Sequence, residues 1–260
     1  MIGLNPVFEP TLLSRVEDAA LNASAPPQQR WIDGWLLRFS PGKAKRARCV
    51  NAVADGRLPL AQRLAECERA MADAGLPLIV RITPFTRPEG LDDWLAGEGL
   101  DRIDDTRTMV TTRLPEAPAA LAAGLRLEPI DAARYADTVG ELRGSPSSQR
   151  AAHAQRIALS PVPYRGWLLM HGDEVCACAQ VAIEGERVGL YDVFTAPASR
   201  TQGLSTALCT TLLARSRVEG ARVAYLQVDA ANEPARRVYR RLGFADAYAY
   251  HYRIRDPQRS

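Results

Sequence analysis

Two short segments in the second half of the chain hold the residue types best suited to chemistry. The first, Arg200–Ser205, places Gly203 between an apolar strand and an apolar helix. A turn with little side-chain bulk at a helix start exposes main-chain N–H groups, and the helix dipole adds positive potential there. Such a turn favours an anion such as a pyrophosphate. A single glycine before a helix is also a common ordinary turn, and this segment alone does not separate the two interpretations.

The second segment, residues 232–244, follows a predicted buried strand over 224–228. Asn232 is suited to cap a helix, and Pro234 is suited to its first turn. Tyr239 lies beside the apolar face of this helix, where a core aromatic residue and a proton donor are both consistent with its position. The motifs of a dinucleotide-binding fold and of a P-loop, G-x-G-x-x-G and Gly-Lys-Ser/Thr, do not occur at either segment.

Carboxylates close to the glycine turn are candidates for proton transfer. Asp192 lies on the strand that leads into the turn, where strand alternation places its side chain with Leu190 and Phe194. Asp192 is therefore the first candidate for a general base, and a structural carboxylate is the alternative. Two further candidates, Glu184 and Glu186, flank a glycine in a predicted hairpin tip and are expected to be solvated.

The histidines and cysteines predict no additional catalytic or metal centre. The histidines show no pairing typical of a triad, and we expect surface or packing roles for His153, His171 and His251. The five cysteines include no CxxC pair and favour a reduced, cytoplasmic protein with buried thiols. We expect no bound metal ion.

Composition and charge limit the classes of partner. The chain has 260 residues, of which 47% are hydrophobic and 24% charged, as is typical of a globular protein of one or two domains. A net charge of +3 argues against a nucleic-acid-binding surface. We expect no membrane partner, because no signal peptide and no apolar run of spanning length is evident. A basic run at Lys43, Lys45, Arg46 and Arg48 favours a solvated hairpin tip over an anion site.

The predicted elements divide the chain into two related halves. An Ala- and Pro-rich stretch over 115–124 predicts a boundary between domains at 1–116 and 124–260. The sequence Gly-Trp-Leu-Leu occurs at Trp35 and again at Trp167, and a strand–helix–Gly–strand pattern also recurs. Residues 188–203 have no evident counterpart in the first half. This pattern predicts a duplication, with a chance match of the short motif as the alternative.

Taken together, the two segments resemble the signatures of the GNAT superfamily of acyl-CoA-dependent N-acetyltransferases. The family's Arg/Gln-x-x-Gly-x-Gly/Ala motif is matched over 193–205, with Ser205 in place of the usual Gly or Ala. Its Asn-x-x-Ala-x-x-x-Tyr-x-x-x-Gly-Phe motif is matched over 232–244. The resemblance covers about the last half of the chain. The first half looks like a degenerate copy without the glycine turn and with Leu95 where the tyrosine would fall.

The resemblance implies an α/β fold in tandem, with a mixed, mostly antiparallel sheet flanked by helices. It also implies acetyl-CoA as co-substrate. Main-chain groups at Phe194 and Thr195 would hold the pantetheine arm, and the turn that follows Arg200 would hold the pyrophosphate. The residues assigned to cofactor binding at this turn are Arg200, Gln202, Gly203, Leu204, Ser205 and Thr206. Asn232 would help to orient the arm, and Tyr239 would protonate the departing thiolate.

The reaction implied is direct attack of a primary amine on the thioester in a ternary complex. The acceptor would be an amine of a small molecule or a peptide. A non-catalytic acyl-CoA-binding or regulatory module is the alternative. Transfer from a charged tRNA is a third possibility, which the modest net charge disfavours.

Overall fold

The computed structural model describes residues 3–255. Its strands in chain order are β1 (Gln28–Ile32), β2 (Trp35–Phe39), β3 (Val50–Ala52), β4 (Ile79–Ile82), β5 (Asp101–Thr111), β6 (Leu125–Ile130), β7 (Tyr164–His171), β8 (Glu174–Glu184), β9 (Arg187–Thr195), β10 (Val223–Asp229) and β11 (Ala245–Ile254). Its helices are α1 (Pro10–Ala23), α2 (Leu60–Asp73), α3 (Leu91–Gly97), α4 (Ala132–Leu142), α5 (Ser147–Ala158), α6 (Leu204–Val218) and α7 (Glu233–Arg241). Short 3-10 helices lie at Lys45–Ala47 and Pro197–Ser199.

The strands form one sheet across both halves of the chain. Their order within the described range is β1-β2-β3-β4-β11-β5-β10-β9-β8-β7-β6. The pairs β3–β4 and β9–β10 are parallel, and the other neighbouring pairs are antiparallel. Each parallel pair needs a crossover connection, which α2 and α6 supply. The predicted mixed, mostly antiparallel α/β sheet is therefore confirmed.

The sheet repeats one arrangement on either side of its centre. The unit β3–α2–β4 on one side matches β9–α6–β10 on the other. The interpretation that residues 188–203 lack a counterpart is therefore wrong, because β3 and the turn before α2 occupy the equivalent place. β3 has only three residues, too few for a clear sequence pattern. The two Gly-Trp-Leu-Leu motifs do not occupy equivalent positions in the two halves. They lie at β2 and β7, whereas the strand of the second half that corresponds to β2 is β8.

The turns that end α3 and α7 have the same hydrogen-bonding pattern. The main-chain N–H of Leu100 donates to the carbonyl of Leu95, and that of Phe244 donates to the carbonyl of Tyr239, both at 3.0 Å. The glycine before each donor has a positive φ, +79° in one case and +84° in the other, as this helix ending requires. The two turns are equivalent, and Leu95 occupies in the first half the position of Tyr239.

The two halves exchange their last strands at the centre of the sheet. β5 from the first half lies between β11 and β10, and β11 from the second half lies between β4 and β5. The register of β5 with β10 runs from Thr111↔Ala224 to Thr106↔Asp229. Separating the halves would therefore break hydrogen-bonded ladders in both.

Helices cover both faces of the second half. On one face, α6 and α7 pack on β8, β9 and β10 in a cluster that includes Leu190, Leu208 and Tyr239. On the other face, α1 packs near Tyr191, and α4 packs near Phe194. None of the helices in residues 3–255 is both long and apolar enough to cross a membrane.

Candidate active site

An open slot separates the ends of the two parallel strands β9 and β10. Their pairing begins at Val223↔Arg187 and ends at Leu226↔Leu190. Residues 191–195 of β9 lie beyond that pairing, and β10 continues instead against β5 on its other side. Main-chain groups on this edge of β9 therefore have no ladder partner in β10. Such an edge can hydrogen-bond to an extended chain laid along it.

The glycine turn forms an exposed helix start beside the slot. Gly203 is the N-cap of α6 with φ +76° and ψ +3°, and no side chain caps the first N–H groups. A Cβ placed on Gly203 would meet no protein atom within 4 Å. Leu204 is buried and anchors the helix in the core. The turn therefore leaves free N–H donors and open space together, and both fit a pyrophosphate.

The residues expected to hold acetyl-CoA gather at one edge of the sheet. Phe194 and Thr195 end β9, while Asn232 follows β10, and the carboxyl ends of parallel neighbours lie side by side. The guanidinium carbon of Arg200 lies 5.9 Å from the centroid of the Phe194 ring. Oδ1 of Asn232 accepts a hydrogen bond of 3.2 Å from the N–H of Ala235, so its predicted role as a helix cap is confirmed.

The other residues of the turn differ in how they are engaged. Nε2 of Gln202 donates to the carbonyl of Ala198 at 3.4 Å, and Gln202 itself is exposed. Ser205 and Thr206 are half-buried in the first turn of α6. Burial raises the pKa of the Cys209 thiol to about 12, although a hydrogen bond with Ser205 acts in the opposite direction. Cys209 therefore stays a neutral thiol that packs beneath this turn.

Tyr239 points its ring into the core that α6 and α7 share. It is 8% exposed, and its ring lies edge-on to Phe244 at a centroid distance of 6.0 Å. Its hydroxyl makes no hydrogen bond to another residue within 3–255. Burial raises the pKa of Tyr239 well above its ordinary value, so the hydroxyl stays protonated. The ring serves packing, and the hydroxyl is a protonated group free to donate to a ligand.

A bulge in β9 turns Asp192 away from the face that alternation predicts. Tyr191 pairs with Gln180 and Phe194 with Cys178, so β9 carries one extra residue between these pairs. Asp192 has a positive φ of +50° at this point. The expectation that its side chain lies with Leu190 is therefore wrong. It lies with Tyr191 on the opposite face.

The Asp192 carboxylate is engaged by two basic side chains. Its Oδ1 accepts a hydrogen bond of 2.9 Å from Nη1 of Arg143, and its Oδ2 lies 3.1 Å from Nε2 of His153. Tyr135 donates a hydrogen bond of 2.9 Å to the main-chain carbonyl of Asp192. Burial alone would raise the pKa of Asp192, but His153 and Arg143 outweigh it and hold this pKa well below its usual range. These contacts favour the structural alternative for Asp192 over the role of proton acceptor.

His153 is a residue that sequence reasoning missed. The sequence indicated no partner for it, yet α5 brings it against Asp192 across a separation of 39 positions along the chain. No local pattern could have found this pair, because it depends on how α5 packs and on the bulge in β9. A histidine held by a carboxylate is an arrangement suited to accepting a proton from a substrate.

The remaining acid candidates lie at the wrong end of β9. Glu184 and Glu186 flank the turn that precedes Arg187, whereas the slot opens at Thr195. Glu184 accepts a hydrogen bond of 2.8 Å from Asn22 of α1. We therefore set both glutamates aside as proton acceptors for this site.

In the first half, an internal carboxylate occupies the turn equivalent to Gly203. Asp33 accepts hydrogen bonds from the N–H groups of Arg57, at 2.9 and 2.8 Å, and of Leu58, at 2.8 Å. Nε of Arg63 lies 2.9 Å from the same carboxylate. The hydrogen bonds from Leu58 and Arg57 hold the pKa of Asp33 below its usual value. Asp33 therefore takes up two main-chain donors of the turn that precedes α2.

Comparison with known proteins agrees with this geometry. The model of the Acetyltransferase (GNAT) family matches residues 134–244. The chain is 26% identical over 240 residues to an uncharacterized N-acetyltransferase, YobR, of Bacillus subtilis (strain 168), covering 87% of this chain and 92% of that protein.

Solved structures share the fold. A GCN5-related N-acetyltransferase from Kribbella flavida aligns with a TM-score of 0.67 at 18% identity, over 94% of this chain and 95% of that one. A tandem GNAT protein from the clavulanic acid biosynthesis pathway aligns with a TM-score of 0.61 at 17% identity, over 75% and 69%. Residues 134–244 therefore form an acetyltransferase domain of the GNAT family.

Proposed function

We propose that the protein transfers the acetyl group of acetyl-CoA to a primary amine in a ternary complex, at the slot between β9 and β10. One observation supports this proposal: the open helix start at Gly203, whose N–H groups no side chain caps, lies beside the unpaired end of β9. The hydroxyl of Tyr239, which makes no hydrogen bond to another residue within 3–255, is the group assigned as proton donor. In this assignment the N–H groups over 202–206 bind the pyrophosphate. Main-chain groups of Phe194 and Thr195 bind the pantetheine arm, and the free amide nitrogen of Asn232 contacts it.

The chemistry requires two protons to be moved. The amine nitrogen attacks the thioester carbon, so that a C–N bond forms and the C–S bond breaks. Tyr239 donates its phenol proton to the departing thiolate sulfur, because burial keeps that phenol protonated until the thiolate appears. His153 accepts the proton that the amine loses, and Asp192 positions its ring. The tyrosine then regains a proton from solvent, and His153 releases the proton it accepted to solvent.

A non-catalytic acyl-CoA-binding module is not favoured. The acceptor in our proposal is a small-molecule or peptide amine, and we place the protein in the cytoplasm, where its five free, buried cysteines would stay reduced. Acetyl transfer is tested by thiol release from acetyl-CoA with a panel of amino acids, polyamines, aminoglycosides and peptides. Acetylated product in the mass spectrum supports the proposal, and CoA binding without product from any amine contradicts it.

We further propose that residues 1–116 form a half that binds no CoA and that residues 124–260 form the catalytic half. The occupied turn at Asp33 supports this division. Titration calorimetry should give one acetyl-CoA per chain, and a stoichiometry of two would contradict the assignment.

A further inference from the structure

A cavity of about 360 Å³ lies on the face of β9 that carries Asp192. Its walls come from residues 40–46 of the first half, from α4 and α5, and from Tyr191 and Asp192 at the bulge. Phe194, at the slot, is two positions further along the same strand. A small molecule in this cavity would therefore reach the proposed thioester position from the side opposite to α6.

Basic side chains dominate the walls of this cavity. Besides His153, they are Lys43, Arg46, Arg143, Arg150 and Arg156. Asp192 is the only carboxylate among the lining residues, all of which lie in the described range. The cavity therefore carries a net positive charge, although the chain as a whole is close to neutral.

Three of these basic groups have no carboxylate partner. Arg143 is paired with Asp192 at 2.9 Å, and Arg150 is paired with Glu141 at 2.8 Å. Within residues 3–255, by contrast, Arg46, Arg156 and Lys43 have no carboxylate within 4.0 Å. The prediction that this basic run is solvated is wrong for Lys45, Arg46 and Arg48, which are half-buried, whereas Lys43 is exposed.

Aromatic rings hold the two unpaired guanidinium groups in place. The guanidinium carbon of Arg46 lies 5.8 Å from the centroid of the Tyr191 ring, and that of Arg156 lies 5.7 Å from the Tyr164 ring. The two tyrosine rings contact each other edge-on at 5.1 Å. A guanidinium fixed on an aromatic face keeps its planar fork of N–H donors available to a carboxylate or phosphate.

We propose that the acceptor is an amine that also carries an anionic group, a carboxylate or a phosphate, and that Arg46 and Arg156 bind this group. The amine then faces His153 beside the slot. The same positive walls repel polyamines and other polycations. This inference rests on the proposed function for its reaction, whereas the anion site itself can be tested by binding alone.

Matched acceptor pairs test the proposal in the intact protein. Each amino acid is compared with its C-terminal amide, and phosphoethanolamine is compared with ethanolamine, with spermidine as a polycation. The anionic member of at least one pair should have a kcat/KM at least about ten-fold higher, and the pair that responds distinguishes carboxylate from phosphate. Preference for the amides, ethanolamine or spermidine would overturn the proposal.

Variants of the cavity walls separate binding from catalysis. Arg46→Gln and Arg156→Gln should raise KM and the calorimetric Kd of the anionic acceptor by about ten-fold, with kcat and the Kd of acetyl-CoA little changed. Lys45→Gln is the matched control, because Lys45 lies beside Arg46 but bonds to Asp104 at 3.0 Å outside the cavity.

Binding is also measured without acetyl-CoA. Loss of anionic-amine binding in Arg46→Gln would uphold the anion site. If the wild-type protein also showed no acetyl transfer when acetyl-CoA is supplied, the proposed reaction would be contradicted while the anion site stands. Unchanged affinity in both cavity variants, with melting temperatures equal to that of the wild type, would overturn the anion site. Failure of every anionic amine to bind the wild-type protein would overturn it too.

Discussion

Nε2 of His153 lies 3.1 Å from Oδ2 of Asp192, on the face of β9 that borders the cationic cavity. The bulge that gives Asp192 a positive φ creates this relationship, and the hydrogen bond from Tyr135 to its carbonyl supports it. Because Arg143 also binds the carboxylate, Asp192 is a poor proton acceptor but is well placed to hold the His153 ring in one orientation. From these contacts we assign Asp192 the role of positioning the His153 ring, and His153 the role of the proposed base.

His153→Gln should lower kcat by about 100-fold or more, because the proposed base is lost. Asp192→Asn should lower kcat less, and its effect should vanish in the His153→Gln background, since the two residues act as one unit. Steady-state kinetics of the two single variants and the double variant measure this coupling. Additive losses would show that Asp192 acts independently of His153.

Gly203→Ala should weaken acetyl-CoA binding by about ten-fold or more. The added methyl group would stand over the helix start and remove a charge-assisted hydrogen bond worth about 1.5–3 kcal/mol. The positive φ also costs about 1 kcal/mol of stability for a residue with a Cβ. Calorimetry with acetyl-CoA measures the affinity, and thermal melts measure the stability.

Gly90→Ala is the matched control for this prediction. Gly90 is the N-cap of α3 with φ +75° and ψ 0°, and a Cβ there would also meet no protein atom within 4 Å. It should lose similar stability and no acetyl-CoA affinity. Equal affinity losses in the two variants would mean that the turn at Gly203 has no special role in binding.

Glu17→Gln should destabilise the protein by about 3 kcal/mol at neutral pH, because it leaves a buried guanidinium unpaired. Glu17 of α1 forms a bidentate ion pair with Arg81 of β4 and accepts a hydrogen bond of 2.6 Å from Tyr248 of β11. Burial raises the pKa of Glu17, but Arg81 and Tyr248 outweigh burial and leave it below 4.5.

The lowered pKa fixes the sign of the pH dependence. The stabilisation from Glu17 is fully present above its unfolded-state pKa, and it is lost as pH falls from about 4.5 through the lower folded-state value. Urea unfolding between pH 3 and 7 should therefore show a smaller acid dependence in Glu17→Gln than in the wild type. Asp18→Asn, on the exposed side of α1, is the control and should change stability by less than about 1 kcal/mol. Identical pH dependence in wild type and Glu17→Gln would contradict this account.

Local chemistry made part of the site predictable from sequence. The glycine that starts α6 and the Asn232 cap both depend on neighbouring residues, and the structure places both as expected. The equivalence of Leu95 with Tyr239 was also visible, because the glycine that ends each helix marks the same turn.

Non-local packing hid the rest of the site. The bulge at Asp192 adds one residue to β9 without a sequence signal, and it reverses the face on which that side chain lies. His153 and Arg46 reach the cavity from α5 and from the first half, which no spacing along the chain reveals. The exchange of β5 and β11 could not be predicted either. The sequence pattern of a last strand is the same whether that strand lies within its own half of the sheet or within the other half.

Tyr239→Phe tests the central claim most directly, because it removes only the hydroxyl and keeps the ring against Phe244. The measurement is the single-turnover rate of acetyl transfer from bound acetyl-CoA, with the Kd of acetyl-CoA and the melting temperature determined on the same protein. We predict a rate at least about 100-fold lower, with Kd and melting temperature close to those of the wild type. An unchanged rate would contradict the assignment of Tyr239 as the proton donor at this slot.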